Sequence, residues 1–270
     1  MNHKILCVDL DATLLCDDKS ITQKNREAIH RMLEAGHYIA LATGRPVETA
    51  REVARELGLN TPGCYMIAFN GAVLYDCAAD RVLLKRSLPI EIVQELFDKA
   101  KRAGLYVQTY NSTDLITTKH TKELDYYVKQ ARISYKISPN ILDALEEEPQ
   151  KVMLISLDQR DKLERFQKKN LNWEKEKCNS FFSSSQYLEY SPKNTSKATG
   201  ILELTKILNM PMDATVAVGD EDNDVPMIKT ACIGVAVKNA TEKAKAAADY
   251  VTVNDNNHDA IAEVIEKFIL

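Results

Sequence analysis

Short apolar runs that stop at a polar residue recur along this chain. Ile5 to Val8 stops at Asp9, Tyr38 to Ala42 at Thr43, Tyr65 to Phe69 at Asn70, and Thr215 to Val218 leads into Gly219-Asp220. Runs this short, with no polar alternation, predict strands buried on both faces, as in a parallel sheet. Between them apolar residues return at helical spacing. Ala28, Ile29, Met32 and Leu33 lie between the capping candidate Thr22 and Gly36, and Val47, Ala50, Val53, Ala54 and Leu57 lie between Pro46 and Gly58. Asn70-Gly71 predicts a hairpin turn with Ala72 to Tyr75 as the returning strand. Toward the C-terminus the alternation resumes, with helices expected over Ser196 to Leu208, Asp222 to Thr230, Thr241 to Ala248 and His258 to Phe268, and a further strand over Cys232 to Val237. Strand and helix in alternation imply an α/β fold with a parallel sheet.

Residues 84–189 read differently, being richer in Lys, Tyr, Ser and Gln. Helices are expected there over Ile90 to Ala103 and Asp161 to Lys169, and strands over Tyr106 to Tyr110, Leu115 to Thr118, Val152 to Ser156 and Tyr187 to Tyr190. This segment predicts a second, α+β domain inserted into a first one made of residues 1–83 and 190–270, within a chain of 270 residues. Lys129, Arg132 and Lys136 form a weakly basic stretch, readable as a solvated helix face or as a surface that steers anions. Trp173, Tyr126 and Tyr127 read as packing residues.

The formal net charge of −4 argues against a bulk electrostatic grip on nucleic acid, so an anion must be held locally. No apolar run approaches the roughly 18 residues that cross a bilayer, and Asp9 and Asp11 interrupt the N-terminal apolar segment before a signal-peptide core forms. The six cysteines are scattered without a C-x-x-C pair, as expected of reduced thiols in a cytoplasmic protein. The sequence leaves the oligomeric state open.

Three predicted strands end in a residue with reactive potential: Asp9, Thr43 and Asp220. Each alone also reads as a loop polar group or a helix cap, but in an open parallel sheet the carboxyl ends of the strands form one crevice, where all three would meet. Asp9 and Asp11 place two carboxylates in one small volume, a conflict that a divalent cation resolves for one and a proton for the other. Asp220, Glu221, Asp222, Asn223 and Asp224 offer hard oxygen donors without His or Cys, which favours magnesium or calcium over zinc. An EF-hand is excluded because Val225 and Ala231 stand where its Gly and Glu are required. Lys197 opens a predicted helix, where the macrodipole disfavours a cation; an anion shared with the helix start would hold it, with the Thr195 and Ser196 hydroxyls as further donors. Signatures of other catalytic classes, G-x-S-x-G, the P-loop, G-x-G-x-x-G and H-E-x-x-H, are missing, and the five histidines are dispersed.

At these residues the sequence resembles the haloacid dehalogenase-like phosphohydrolases, and within them the Cof-type sugar-phosphate phosphatases with an inserted α/β cap. Asp9-Leu10-Asp11-Ala12-Thr13 is similar to the family's nucleophile motif, Thr43-Gly44-Arg45 to its second, Thr195-Ser196-Lys197-Ala198 to its third, and Gly219-Asp220 through Asn223-Asp224 to its fourth. Phe69-Asn70-Gly71-Ala72 and Gly234 to Ala240 resemble further segments of the Cof-type branch. Ala12 departs from the family, which usually has Gly there. The resemblance implies a Rossmann-like core with an inserted cap that closes over the site, and a magnesium-dependent phosphatase acting on small phosphorylated metabolites such as sugar phosphates.

By the same resemblance Asp9 is the nucleophile that forms an aspartyl-phosphate, and Asp11 the general acid and base. Magnesium is held by the Asp9 side chain, the Asp11 carbonyl and Asp220, with Asp224 positioning Lys197 or a metal-bound water. Thr43, Gly44, Lys197 and Asn223 meet the phosphate. Three other readings share parts of the pattern: a sugar phosphomutase, a receiver-like signalling domain, and a catalytically silent metabolite-binding relative.

Overall fold

The computed structural model describes residues 3–111 and 113–270, which fold as two compact units. One runs to Leu84 and resumes over Ser196–Leu270; the other spans Lys85–Thr195. Along the chain, the first unit begins with β1 (Ile5–Val8), α1 (Gln23–Glu34), β2 (Tyr38–Ala42), α2 (Val47–Glu56), β3 (Cys64–Ala68), β4 (Val73–Asp76) and β5 (Arg81–Lys85). The second unit contributes α3 (Ile90–Arg102), β6 (Tyr106–Tyr110), β7 (Asp114–Thr117), α4 (Lys122–Ala131), β8 (Ser134–Ile137), β9 (Val152–Ile155), α5 (Arg160–Glu174), β10 (Cys178–Ser184) and β11 (Tyr187–Pro192). The chain returns to the first unit through α6 (Lys197–Ile207), β12 (Thr215–Gly219), α7 (Val225–Thr230), β13 (Ile233–Ala236), α8 (Glu242–Ala247), β14 (Tyr250–Val251) and α9 (Ala260–Phe268).

The first unit is the predicted Rossmann-like core. Its sheet runs β14-β13-β12-β1-β2-β3-β4-β5, with neighbours parallel from β14 to β3. β1 lies between β12 and β2, and its alternate side chains feed two cores. Leu6 and Val8 join α1, α2 and α9 through Ile29, Met32, Val53, Ile261 and Ile265, whereas Ile5 and Cys7 join α6 through Ile201 and Leu204. Strands covered on both faces explain the unbroken apolar runs in the sequence. Thr22 caps α1 as expected, accepting from the N–H of Asn25, and Gly36 follows at a φ of 84°.

The hairpin after β3 departs from the expected two-residue turn. β4 pairs antiparallel with β3 from Ala68 opposite Val73, so four residues connect them, and Phe69, Asn70 and Gly71 are all left-handed. A β-carbon on Gly71 would stand 2.1 Å from the carbonyl oxygen of Ser196, at the start of α6. Gly71→Ala is therefore expected to destabilise the protein by about 3 kcal/mol or more, through backbone overlap added to a strained φ, as read by urea denaturation.

In the second unit the sheet order is β10-β11-β9-β6-β7-β8, antiparallel except for β7 with β8. Val107, Ile116, Val152, Leu154, Leu188 and Tyr190 pack against α3 and α5. Tyr106, Gln108 and Tyr110 point the opposite way, where Gln108 accepts from Tyr106 and donates to Tyr110, whose hydroxyl bonds Tyr127 at 2.8 Å. The basic stretch is not one helix face: Lys129 lies in the last turn of α4, Arg132 is its left-handed cap, and Lys136 lies on β8, paired with Asp114 at 2.9 Å. Trp173 is a packing residue with a polar tip, its indole N–H donating to Glu95.

Candidate active site

β1, β2 and β12 are parallel and adjacent in the sheet, so Asp9, Thr43 and Asp220, which directly follow them, emerge at one end. Asp9 remains anchored to β12 by its N–H, which donates to Val218 O at 3.0 Å. The chain then closes a wide turn in which the N–H groups of Leu14 and Leu15 reach back five residues to the carbonyls of Asp9 and Leu10. Within it Ala12 is left-handed, at φ 57° and ψ 12°. That conformation suits glycine and costs alanine on the order of 1–2 kcal/mol.

Lys197 sits in the first turn of α6, which Ser196 caps by accepting from the N–H of Thr199. The Thr195 hydroxyl donates to Pro192 O, so these two hydroxyls serve the backbone and not an anion beside Lys197. The lysine is 2% exposed, and its Nζ donates to Asp9 Oδ1 and to Asp224 Oδ1, each at 2.5 Å. Carboxylates, then, hold this cation at the helix start. Asp224 Oδ2 accepts the N–H groups of Asp220 and Glu221 at 3.0 and 3.1 Å. Gly219 permits this close approach, since a β-carbon there would lie 2.5 Å from Asp224 Cβ. The same bonds hold Asp222 to Asp224 as a loop, which is why α7 begins at Val225 and not at Asp222.

Asp220 accepts from the Thr13 hydroxyl at 2.7 Å, a contact with no cue in the sequence beyond the proximity of Thr13 to Asp11. Asp9, Asp220 and Asp224 are buried, and each offers a carboxylate oxygen within 4.8 Å of the other two. Burial pushes the Asp9 carboxyl well above the usual carboxylate range, with Asp224, Asp220 and Asp11 adding to the shift and Lys197 opposing it. Burial, then the charge of Asp224, raises Asp220 to about 7 against the Thr13 bond. Burial also disfavours the Lys197 charge, but Asp224 and Asp9 outweigh it and hold the ammonium above its ordinary range. One ammonium among three carboxylates leaves the cluster short of positive charge. Among the described residues, Asp9 Oδ2 and Asp220 Oδ2 accept no hydrogen bond. A small hard cation fits this oxygen-only donor set.

Asp11 belongs to a different set of contacts. Arg45 grips its carboxylate from Nε and Nη2 at 2.8 and 2.6 Å, and Lys19 donates to it at 2.9 Å. Against partial burial, the Arg45 bonds and charge and then those of Lys19 hold this carboxyl at about 2. Arg45 was visible in the sequence only as a neighbour of Thr43, because a pairing between residues 11 and 45 has no local signal.

Thr43 is 1% exposed; its hydroxyl accepts from the Arg45 N–H at 3.1 Å and its carbonyl from the Asn70 N–H at 2.9 Å. A β-carbon on Gly44 would lie 3.0 Å from Asn70 Nδ2, so the second motif and the left-handed hairpin turn pack together. Asn223 donates to Asn70 Oδ1 at 3.4 Å, completing a rim of Thr43, Gly44, Asn70 and Asn223. Of the residues singled out in the sequence, Asp9, Lys197, Asp220 and Asp224 form one buried cluster, while Asp11 stands apart with Arg45 and Lys19.

The sequence model of the haloacid dehalogenase-like hydrolases matches residues 6–265. The 5-amino-6-(5-phospho-D-ribitylamino)uracil phosphatase YcsE of Bacillus subtilis is 28% identical over 99% of this chain and 96% of its own length. The pyridoxal phosphate phosphatase YbhA of Escherichia coli is 26% identical over the whole of both chains. Among solved structures, a haloacid dehalogenase-like hydrolase from Bacteroides thetaiotaomicron superposes with a TM-score of 0.90 at 29% identity, covering 98% of this chain and 99% of the other.

Proposed function

This chain belongs to the haloacid dehalogenase-like hydrolases and is a phosphoric monoester hydrolase, and from that premise we propose that it releases phosphate from small phosphorylated metabolites, sugar phosphates foremost, through an aspartyl-phosphate on Asp9. The observation that carries this reading is the bridge from Lys197 Nζ to Asp9 and Asp224, which aims the Asp9 carboxylate from a buried position and keeps a fixed positive charge beside it. An oxygen of Asp9 attacks phosphorus and the ester P–O bond breaks. The departing oxygen takes a proton from Asp11. Water then attacks the same phosphorus, giving its proton to Asp11, and the Asp9–phosphorus bond breaks to free inorganic phosphate.

Asp9 and Asp220, with the Asp11 carbonyl, would hold Mg²⁺, while Asp224 holds the lysine. The ion supplies charge neutralisation between the incoming phosphate and the carboxylates. Lys197, Thr43 and Asn223 supply donors for the phosphate oxygens, and Gly44 leaves room for them. Asp11 is ionised while Arg45 grips it, so its acid role requires the carboxylate to leave that guanidinium. An arriving phosphate dianion competes for the same cation and favours that release.

The test is phosphate release from a panel of phosphorylated metabolites, with Mg²⁺ and then with chelator. Turnover is expected on phosphorylated sugars or similar small compounds, falling at least a hundredfold, on the order of a lost electrostatic stabiliser of the reaction, when the ion is removed. Undiminished turnover in chelator would remove the metal from the scheme. Binding has a second readout. In the folded state Asp220 keeps its proton to about pH 7 and Asp9 is raised in the same direction, whereas both release it near the ordinary carboxylate value when unfolded. Between those limits the folded state binds more protons, so this contribution to stability is full at low pH and is lost as pH rises through 7. A cation replaces the protons, so Mg²⁺ is expected to raise the Tm more at pH 8 than at pH 5.5.

A further inference from the structure

The turn that carries Asp11 is fastened at its middle and at its C-terminal end by asparagines that the chemistry above does not use. Asn239, between β13 and α8, donates from Nδ2 to the carbonyl of Ala12 at 2.8 Å, and its Oδ1 accepts the N–H of Asn256 at 3.0 Å. One end of this amide meets a carbonyl and the other an N–H, so only one orientation of the group satisfies both. Asn256, between β14 and α9, is 2% exposed and donates to Leu15 O at 3.1 Å and to Asp17 Oδ1 at 3.0 Å. Asn257 adds the end of the fastening, accepting the N–H of Asp17 at 3.0 Å. The contacts therefore reach the turn at Ala12, Leu15 and Asp17, while Thr13 is tied to Asp220.

The need for such a fastening follows from Ala12. A left-handed alanine gains by relaxing toward the right-handed region, and that relaxation would turn the peptide next to Asp11. A donor fixed on the Ala12 carbonyl opposes the rotation. The Asp11 side chain, drawn toward Arg45 and Lys19, then pivots on a backbone that stays in place.

We propose that Asn239, backed by Asn256, is a positioning residue for phosphoryl transfer: by holding the Ala12 carbonyl it sets Asp11 for proton delivery to the leaving oxygen. This rests on the reading of Asp11 as the proton donor. Asn239→Asp keeps the size of the side chain and the acceptor for Asn256 but removes the donor to Ala12; Asn239→Ala removes both. The readout is kcat/KM on phenyl phosphate, whose leaving oxygen needs a proton, and on p-nitrophenyl phosphate, whose phenolate leaves without one.

Both variants are expected to lose roughly ten- to a hundredfold on phenyl phosphate, part of what a general acid contributes, and less than about threefold on p-nitrophenyl phosphate. The Tm should change little, because Asn239 is exposed. Equal losses on the two compounds, or no loss on either, would overturn the proposal. Asp11→Asn in the same assay separates the two levels. If it does not discriminate between the compounds, the proton-transfer reading itself fails; if it discriminates and the Asn239 variants do not, the positioning role alone falls.

Discussion

Asp9→Asn is expected to lower phosphate release by about 10⁴-fold or more, the scale of loss when a catalytic nucleophile is removed, while the protein stays folded. An amide of the same shape fits the buried position, yet it is a poor nucleophile and gives no stable acyl phosphate. Its effect on stability has the opposite sign from its effect on rate. The Asp9 carboxyl resists ionisation because burial and neighbouring carboxylates outweigh Lys197, so replacing it with a neutral group removes a source of repulsion. Lys197 keeps Asp224 as its partner. Steady-state turnover and thermal denaturation at pH 8 read both effects, and the Tm should be unchanged or higher. Residual turnover within tenfold of the parent would remove Asp9 from the nucleophile position.

Lys197→Met is expected to do the most damage to the fold. It leaves the buried carboxylates of Asp9, Asp220 and Asp224 without the ammonium that binds two of them. Breaking a buried ion pair from one side costs about 3–5 kcal/mol, much of it from the charge left behind. For a chain of this size that corresponds to a Tm lower by roughly 10 °C or more. Turnover should collapse as well, since the donor beside Asp9 is gone. Adding Asp224→Asn to Lys197→Met should recover part of the Tm but none of the turnover, which separates the stability effect from the catalytic one. A Tm within 2 °C of the parent for the single variant would show that the cluster does not need the lysine charge.

How much of this was legible in the sequence follows from where the information sits. The core strands announced themselves because β1, β2 and β3 are nearly covered on both faces, and their ends gave Asp9 and Thr43 at once. β8 and α4 were missed for the opposite reason: every residue of Ser134–Ile137 is exposed, and α4 buries only Leu124 and Tyr127, so neither carries a clear period. The four buried members of the site are named by motif, and the resemblance also implies the Asp224–Lys197 contact, but the contact of Lys197 with Asp9 has no cue. Lys197 read as a cation awaiting an anion, and the anions proved to be two side chains of the same chain. The left-handed turn at Ala12 has one cue, the Gly usual at that position in the family that the sequence resembles, whereas the grip of Arg45 on Asp11 has none. A pairing across 34 residues depends on how β1 and β2 lie together.

The central place of β1 in its sheet also bears on how the molecule is made. Its partner on one side, β2, is synthesised within moments, but its partner on the other side, Thr215–Gly219, follows some 200 residues later. At translation speeds of about 5–20 residues per second, the N-terminal segment waits on the order of tens of seconds with one row of backbone amides and carbonyls uncovered. During that interval it is open to pairing with other nascent chains or to capture by a chaperone. Asp9 and Lys197 are joined only once α6 has emerged from the ribosome, so a chain truncated before α6 would lack both the second neighbour of β1 and the buried cluster around Lys197.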